Sequence, residues 1–110
     1  MKREIKFRFW RDGRMQSAHQ LNAYVNSGNN FQGDGGELMQ FTGLHDKNGK
    51  EIYEGDILHR GLNVCWVVVF KESRWIADSI IDSGLYIDYT EFNTCSIEGN
   101  IYENPELLTH

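Results

Sequence analysis

Residues 38–58, LMQFTGLHDKNGKEIYEGDIL, break an apolar run twice, first at Asp46-Lys47-Asn48-Gly49 and again at Glu54-Gly55-Asp56. Gly43, Gly49 and Gly55 recur at a constant interval. That spacing fits a repeat, a metal loop or successive chain reversals. A repeat fails, because the segments between the glycines share no other pattern. A calcium loop also fails. It requires glycine at its sixth position and a bidentate Glu at its twelfth, whereas counting from Asp46 puts Glu51 and Ile57 there. Reversals remain. Asp46 and Gly49 suit the first and fourth positions of a type I turn, and Asn48-Gly49 alone suits a type I′ turn; either returns the chain from FTGL to EIY. Gly55 permits a sharp bend that lets Asp56 start ILHR in a new direction. Ile52 and Ile57 are expected in the core and Tyr53 in a structural role. Asp46, Asn48, Glu54 and Asp56 are expected as solvated turn residues.

Toward the N-terminus, Ile5, Phe7 and Phe9 alternate with Lys6, Arg8 and Trp10, the period-two pattern of a strand with one packed and one wet face. Asp12-Gly13 supplies the positive φ of a tight hairpin. The returning MQSAHQLNAYV fits a strand, though Met15, Ala18, Leu21 and Val25 also sit near helical spacing. Residues 26–36, rich in glycine and asparagine, read as a loop that divides an N-terminal unit, 1–37, from the remainder, 38–110.

The remainder alternates short apolar segments with turns: LMQFTG, EIY, DILHR, NVCWVVVF, WIADSII, LYIDYTEF and CSIEGNIY. Several short strands at this spacing predict a small barrel or sandwich. RWIADSII is the ambiguous member, since Trp75, Ile76, Ile80 and Ile81 also fit one face of a helix. Both faces of VCWVVVF are apolar, so both need cover, from the N-terminal unit or from another subunit. At the C-terminus Asn104 and Pro105 fit an N-cap and first helical position, predicting one helical turn with Leu107 and Leu108 against the body.

The chain of 110 residues carries a formal charge of −5, unevenly spread. Residues 1–20 hold six Lys/Arg against two acids, whereas residues 75–110 hold seven acids and no Lys or Arg. The two ends should attract each other, within a chain or between chains. The N-terminus lacks the apolar stretch of an export signal and no run is long enough to cross a bilayer, so a soluble, cytoplasmic protein without membrane contact is expected. Cys65 and Cys95 form no Cys-x-x-Cys pair and are read as free thiols. His19, His45, His59 and His110 lack ligand spacing, and no nucleophile elbow or phosphate loop is present. No catalytic residue, metal site or cofactor is expected, and an enzyme is disfavoured.

The segments MKREIKFRFW, LMQFTGLHDKNGKEIYEGDIL and IEGNIYENPELL together resemble the YopX family, small proteins encoded mainly by phages, prophages and conjugative elements. The resemblance implies a mainly β molecule with an N-terminal β-hairpin unit, a small SH3-like barrel and no established activity. It makes Gly43, Asp46, Gly49, Tyr53, Gly55, Asp56, Gly99 and Pro105 the motif residues. Glu98 before Gly99 departs from the usual hydrophobic residue. The expected function is that of a non-enzymatic, protein-binding accessory protein whose partners are a phage or host protein and itself, as a homo-oligomer in which each hairpin packs on a neighbour's barrel. The competing expectation is nucleic-acid binding by Lys6, Arg8, Trp10, Arg11 and Arg14, a basic strand with an aromatic for stacking. Against it, the other 90 residues carry a charge of −9, which repels a polyanion.

Overall fold

A computed structural model describes residues 6–17, 37–61, 64–81 and 84–108. Ile5, the loop at 26–36, most of the return segment beyond Ser17, His19 and His110 lie outside the described residues. The described residues form nine strands: β1 (Phe7–Arg11), β2 (Arg14–Ser17), β3 (Glu37–His45), β4 (Glu51–Tyr53), β5 (Asp56–His59), β6 (Cys65–Lys71), β7 (Arg74–Ser79), β8 (Tyr86–Asp88) and β9 (Ser96–Asn100). Two curled sheets result, one of them a half-barrel, where the strand spacing predicts a small barrel or sandwich and the family resemblance implies an SH3-like one. Their orders are β2-β1-β3-β4 and β8-β7-β6-β5-β9.

Turn chemistry accounts for the hairpins. Asp12 and Gly13 both take positive φ, 55° and 75°, between paired Arg11 and Arg14, the two-residue geometry that matches strand twist. Glu72 and Ser73 do the same between β6 and β7, at 53° and 69°. RWIADSII is therefore resolved as a strand, because β7 pairs residue by residue with β6 from Lys71↔Arg74 to Trp66↔Ser79. LYIDYTEF is not one strand. It ends at Asp88, whose side chain accepts the Thr90 N–H and starts a 3-10 helix over Tyr89–Thr94.

The main core gathers Ile52, Leu58, Val68, Ala77, Ile87, Phe92 and Cys95, with Leu44, Trp66, Trp75 and Ile97 packed against it. Ile52 and Ile57 are fully buried, as expected. In β6 only Val68 is buried, while Cys65, Val67 and Val69 on the opposite face remain half-exposed. The C-terminal Pro105–Leu108 forms a 3-10 turn with no buried residue, so Leu108 faces solvent and does not dock on the body.

Candidate functional site

The basic strand β1 does not present a wet face. Lys6 pairs with Glu51 and lies over the Phe41 ring. Arg8 donates to Asp56 Oδ1 at 2.7 Å and stacks over Tyr53 at 4.7 Å. Trp10 stacks on Tyr102, with ring centroids 6.0 Å apart. Arg11 lies near Asp12 and over Phe9, on the other face of the strand, and Arg14 is exposed. The structure thus brings Lys6, Arg8 and Trp10 together on one face, as the alternation predicts, and packs that face on the same chain. The hairpin packs on its own chain, with Phe9 buried and β1 paired to β3. Lys6 and Arg8 take acidic partners from Glu51 and Asp56. In the acidic C-terminal third Asp78, Asp88 and Glu91 pair with Lys71, Arg74 and Arg60.

Asp46 and Asp56 are buried, not solvated turn residues as the sequence suggests. A short acidic side chain can replace missing strand partners by accepting several backbone N–H groups at once. Asp46 Oδ1 accepts from Asn48 and Lys50, and Oδ2 from Ile97 across to β9. Burial alone raises its pKa, but the N–H groups of Lys50, Ile97 and Asn48, with the Lys50 charge, outweigh that and hold it below the ordinary value. Asp56 Oδ2 accepts the Tyr53 N–H at 2.8 Å, closing the turn. Burial dominates there, and the Arg8 charge only partly offsets it, so the Asp56 pKa is raised.

Gly43 lies where the β3–β4 register shifts, and the Gly49 N–H closes the turn onto the Asp46 carbonyl. Gly55, with φ of 88°, is the corner between the sheets: its N–H donates to Val68 and its carbonyl accepts from Ile101. Gly99 has a different reason. A Cβ there would stand 2.6 Å from Asn104 Cγ. The Asn104 side chain, expected to cap the helical turn at Pro105, instead accepts the Asn100 N–H.

The sequence reading missed an open groove of about 490 Å³ on the outer face of β6, β7 and β8. Ile76 lines it together with Ile81, Leu85 and Tyr86, which are 56%, 54% and 46% exposed. Lys71 and Asp78 pair at 3.1 Å beside it, and Arg74 reaches both Asp88 and the Tyr86 hydroxyl. None of the residues of VCWVVVF lines it, so the apolar faces of that run gave no signal for it.

Cys65 and Cys95 are free. Burial raises both thiol pKa values, with Glu98 adding to the rise at Cys65, which leaves little nucleophilic thiolate. Among the described residues no group of three or more His, Cys, Asp or Glu is placed to hold a metal ion. No described helix is long and apolar enough to cross a membrane.

A family model described as YopX protein matches residues 3–109. The crystal structure of protein EF1440 from Enterococcus faecalis is similar to this one, with a TM-score of 0.67 and 23% identity, covering 98% of this chain and 100% of that one. At that identity the likeness is one of fold. No curated protein matches the chain.

Proposed function

We propose that this chain, which belongs to the YopX family, works as a non-enzymatic protein-binding module, an accessory protein of a phage or mobile element acting in the bacterial cytoplasm. The observation that carries the reading is the groove over β6–β8. Three large side chains, Ile81, Leu85 and Tyr86, stand about half exposed around a concave surface that also holds Ile76, Lys71, Arg74 and Asp78. Contiguous apolar surface rimmed by polar groups marks sites of protein association. The free thiols suit a reducing compartment.

Nucleic-acid binding is less well supported, because Lys6 and Arg8 already have acidic partners on the same chain. Tagged protein purified from a host carrying the element, beside a Leu85→Glu variant, tests the main reading. A partner retained by the wild type, lost from the folded variant and rebound when purified supports it. Equal retention by both proteins overturns it, and so does a salt-sensitive gel shift with random-sequence nucleic acid and no protein partner.

A further inference from the structure

We propose that Asn48-Gly49 is a latent deamidation site that the buried Asp46 carboxylate keeps closed, so that the Asn48 side-chain amide is converted only when the turn opens. The chain holds a single Asn-Gly step, and both of its residues are exposed. Deamidation there begins when the Gly49 amide nitrogen gives up its proton and attacks Asn48 Cγ. The new carbon–nitrogen bond closes a five-membered imide, and the bond to the side-chain nitrogen breaks, releasing ammonia. Water then opens the ring at either carbonyl, leaving Asp or isoaspartate at position 48. Glycine favours the first step, because it has no side chain to block the approach and its backbone turns freely.

Bulk does not shield this step. Among the described residues, no atom beyond the adjoining residues comes within 4 Å of where a Gly49 Cβ would stand. Hydrogen bonding does the shielding. The Gly49 N–H, which the attack must strip, is donated to the Asp46 carbonyl at 2.9 Å, and Gly49 is held at a φ of 84°. Its neighbours are pinned as well. The N–H groups of Asn48 and Lys50 reach Asp46 Oδ1 at 2.8 and 2.9 Å, that of Asp46 reaches the Lys50 carbonyl at 2.8 Å, and that of Lys47 the Cys95 carbonyl at 2.9 Å. Every backbone N–H from Asp46 to Lys50 is thus committed, and the anchor, Asp46, is itself only 5% exposed and tied to Ile97 of β9. Turning the Gly49 nitrogen toward Asn48 Cγ breaks this set, so attack waits on local opening. Isoaspartate, once formed, lengthens the main chain inside the turn by one methylene, which removes the spacing at which Asn48 and Lys50 share one oxygen. The conversion is a one-way record of opening.

Peptide mapping of the purified full chain, kept in mildly alkaline buffer with and without denaturing urea, tests this. The chymotryptic peptide 45–53 of the folded protein should show the mass change of amide to acid about tenfold or more slowly than that of the unfolded chain, and Asn48→Gln should abolish the change in both. Folded Asp46→Ala should convert several-fold faster than the folded wild type. Should that variant not fold, the wild type decides: urea below the unfolding transition should speed Gly49 amide hydrogen exchange and deamidation in parallel. Equal rates in the folded and unfolded wild type, a folded Asp46→Ala no faster than the wild type, or deamidation indifferent to urea that speeds Gly49 exchange overturns the proposal.

Discussion

Arg8 and Asp56 stand 48 positions apart in the chain and 2.7 Å apart in space, and their ion pair welds β1 of the first sheet to the first residue of β5 in the second. Asp56 is almost wholly buried and Arg8 largely so. Removing one partner strands the other's charge. Arg8→Met is expected to cost about 3 to 5 kcal/mol in urea denaturation. Asp56→Ala should cost more, since it also orphans the Tyr53 N–H. Replacing both with apolar residues of similar volume should recover much of the loss; a double variant no more stable than the worse single one counts against the pair as the weld.

The two buried carboxylates pull the pH dependence in opposite directions. Asp46 has a lowered pKa, so its contribution is present above the unfolded value of about 3.9 and is lost as pH falls through the folded one. Asp56 has a raised pKa. Its term is most favourable below the unfolded value and is lost as pH rises through the folded one. Asp46→Asn is expected to lower stability at neutral pH, because its amide cannot accept from Ile97 while keeping both Oδ1 bonds, and to flatten the acid limb. Urea midpoints between about pH 2 and 7 check it; an acid limb as steep as the wild type's contradicts the assignment.

Two glycines should fail for different reasons. Gly55→Val meets a left-handed backbone and Met39 Sδ 3.2 Å from the new Cβ, and should destabilise by about 1 to 3 kcal/mol. For Gly99→Ala the three nearest atoms to the new Cβ all belong to Asn104, with a cost of about 1 to 3 kcal/mol. Asn104→Ala in the same chain should relieve that collision and leave Gly55→Val unaided. Thermal unfolding of the four proteins separates the cases.

The Glu72-Ser73 turn holds two non-glycine residues at positive φ. Changing them to Asn-Gly should stabilise the fold by about 1 kcal/mol and raise Tm by a few degrees, since these residues take that conformation at less cost. A lower Tm would mean that the two side chains contribute contacts exceeding the backbone strain.

Local patterns made the hairpins legible: Asp12-Gly13 and Asp46 to Gly49 each carry their turn in adjacent residues. The bend at Gly55 and the core places of Ile52 and Ile57 followed from the same short-range chemistry. The partners of Arg8 and Asp46 did not, because Asp56 and Ile97 reach them only after the sheets assemble. The 3-10 helix after Asp88 had a readable cue, an acidic cap with Glu91 in its first turn, which the apolar run LYIDYTEF masked. The groove emerged only when β8 was placed beside β7, far from any motif.

Ile52 belongs to β4 of the first sheet yet sits, fully buried, in the core cluster of the second. Lifting the first sheet away would tear that side chain from Leu58 and Val68, so neither sheet has a stability of its own to retain. The molecule should lose its structure in one cooperative step, with calorimetric and van't Hoff enthalpies in agreement. Amide protons of β4 and β6 should then exchange together through the same global opening, while those at the β2 edge escape earlier by local fraying.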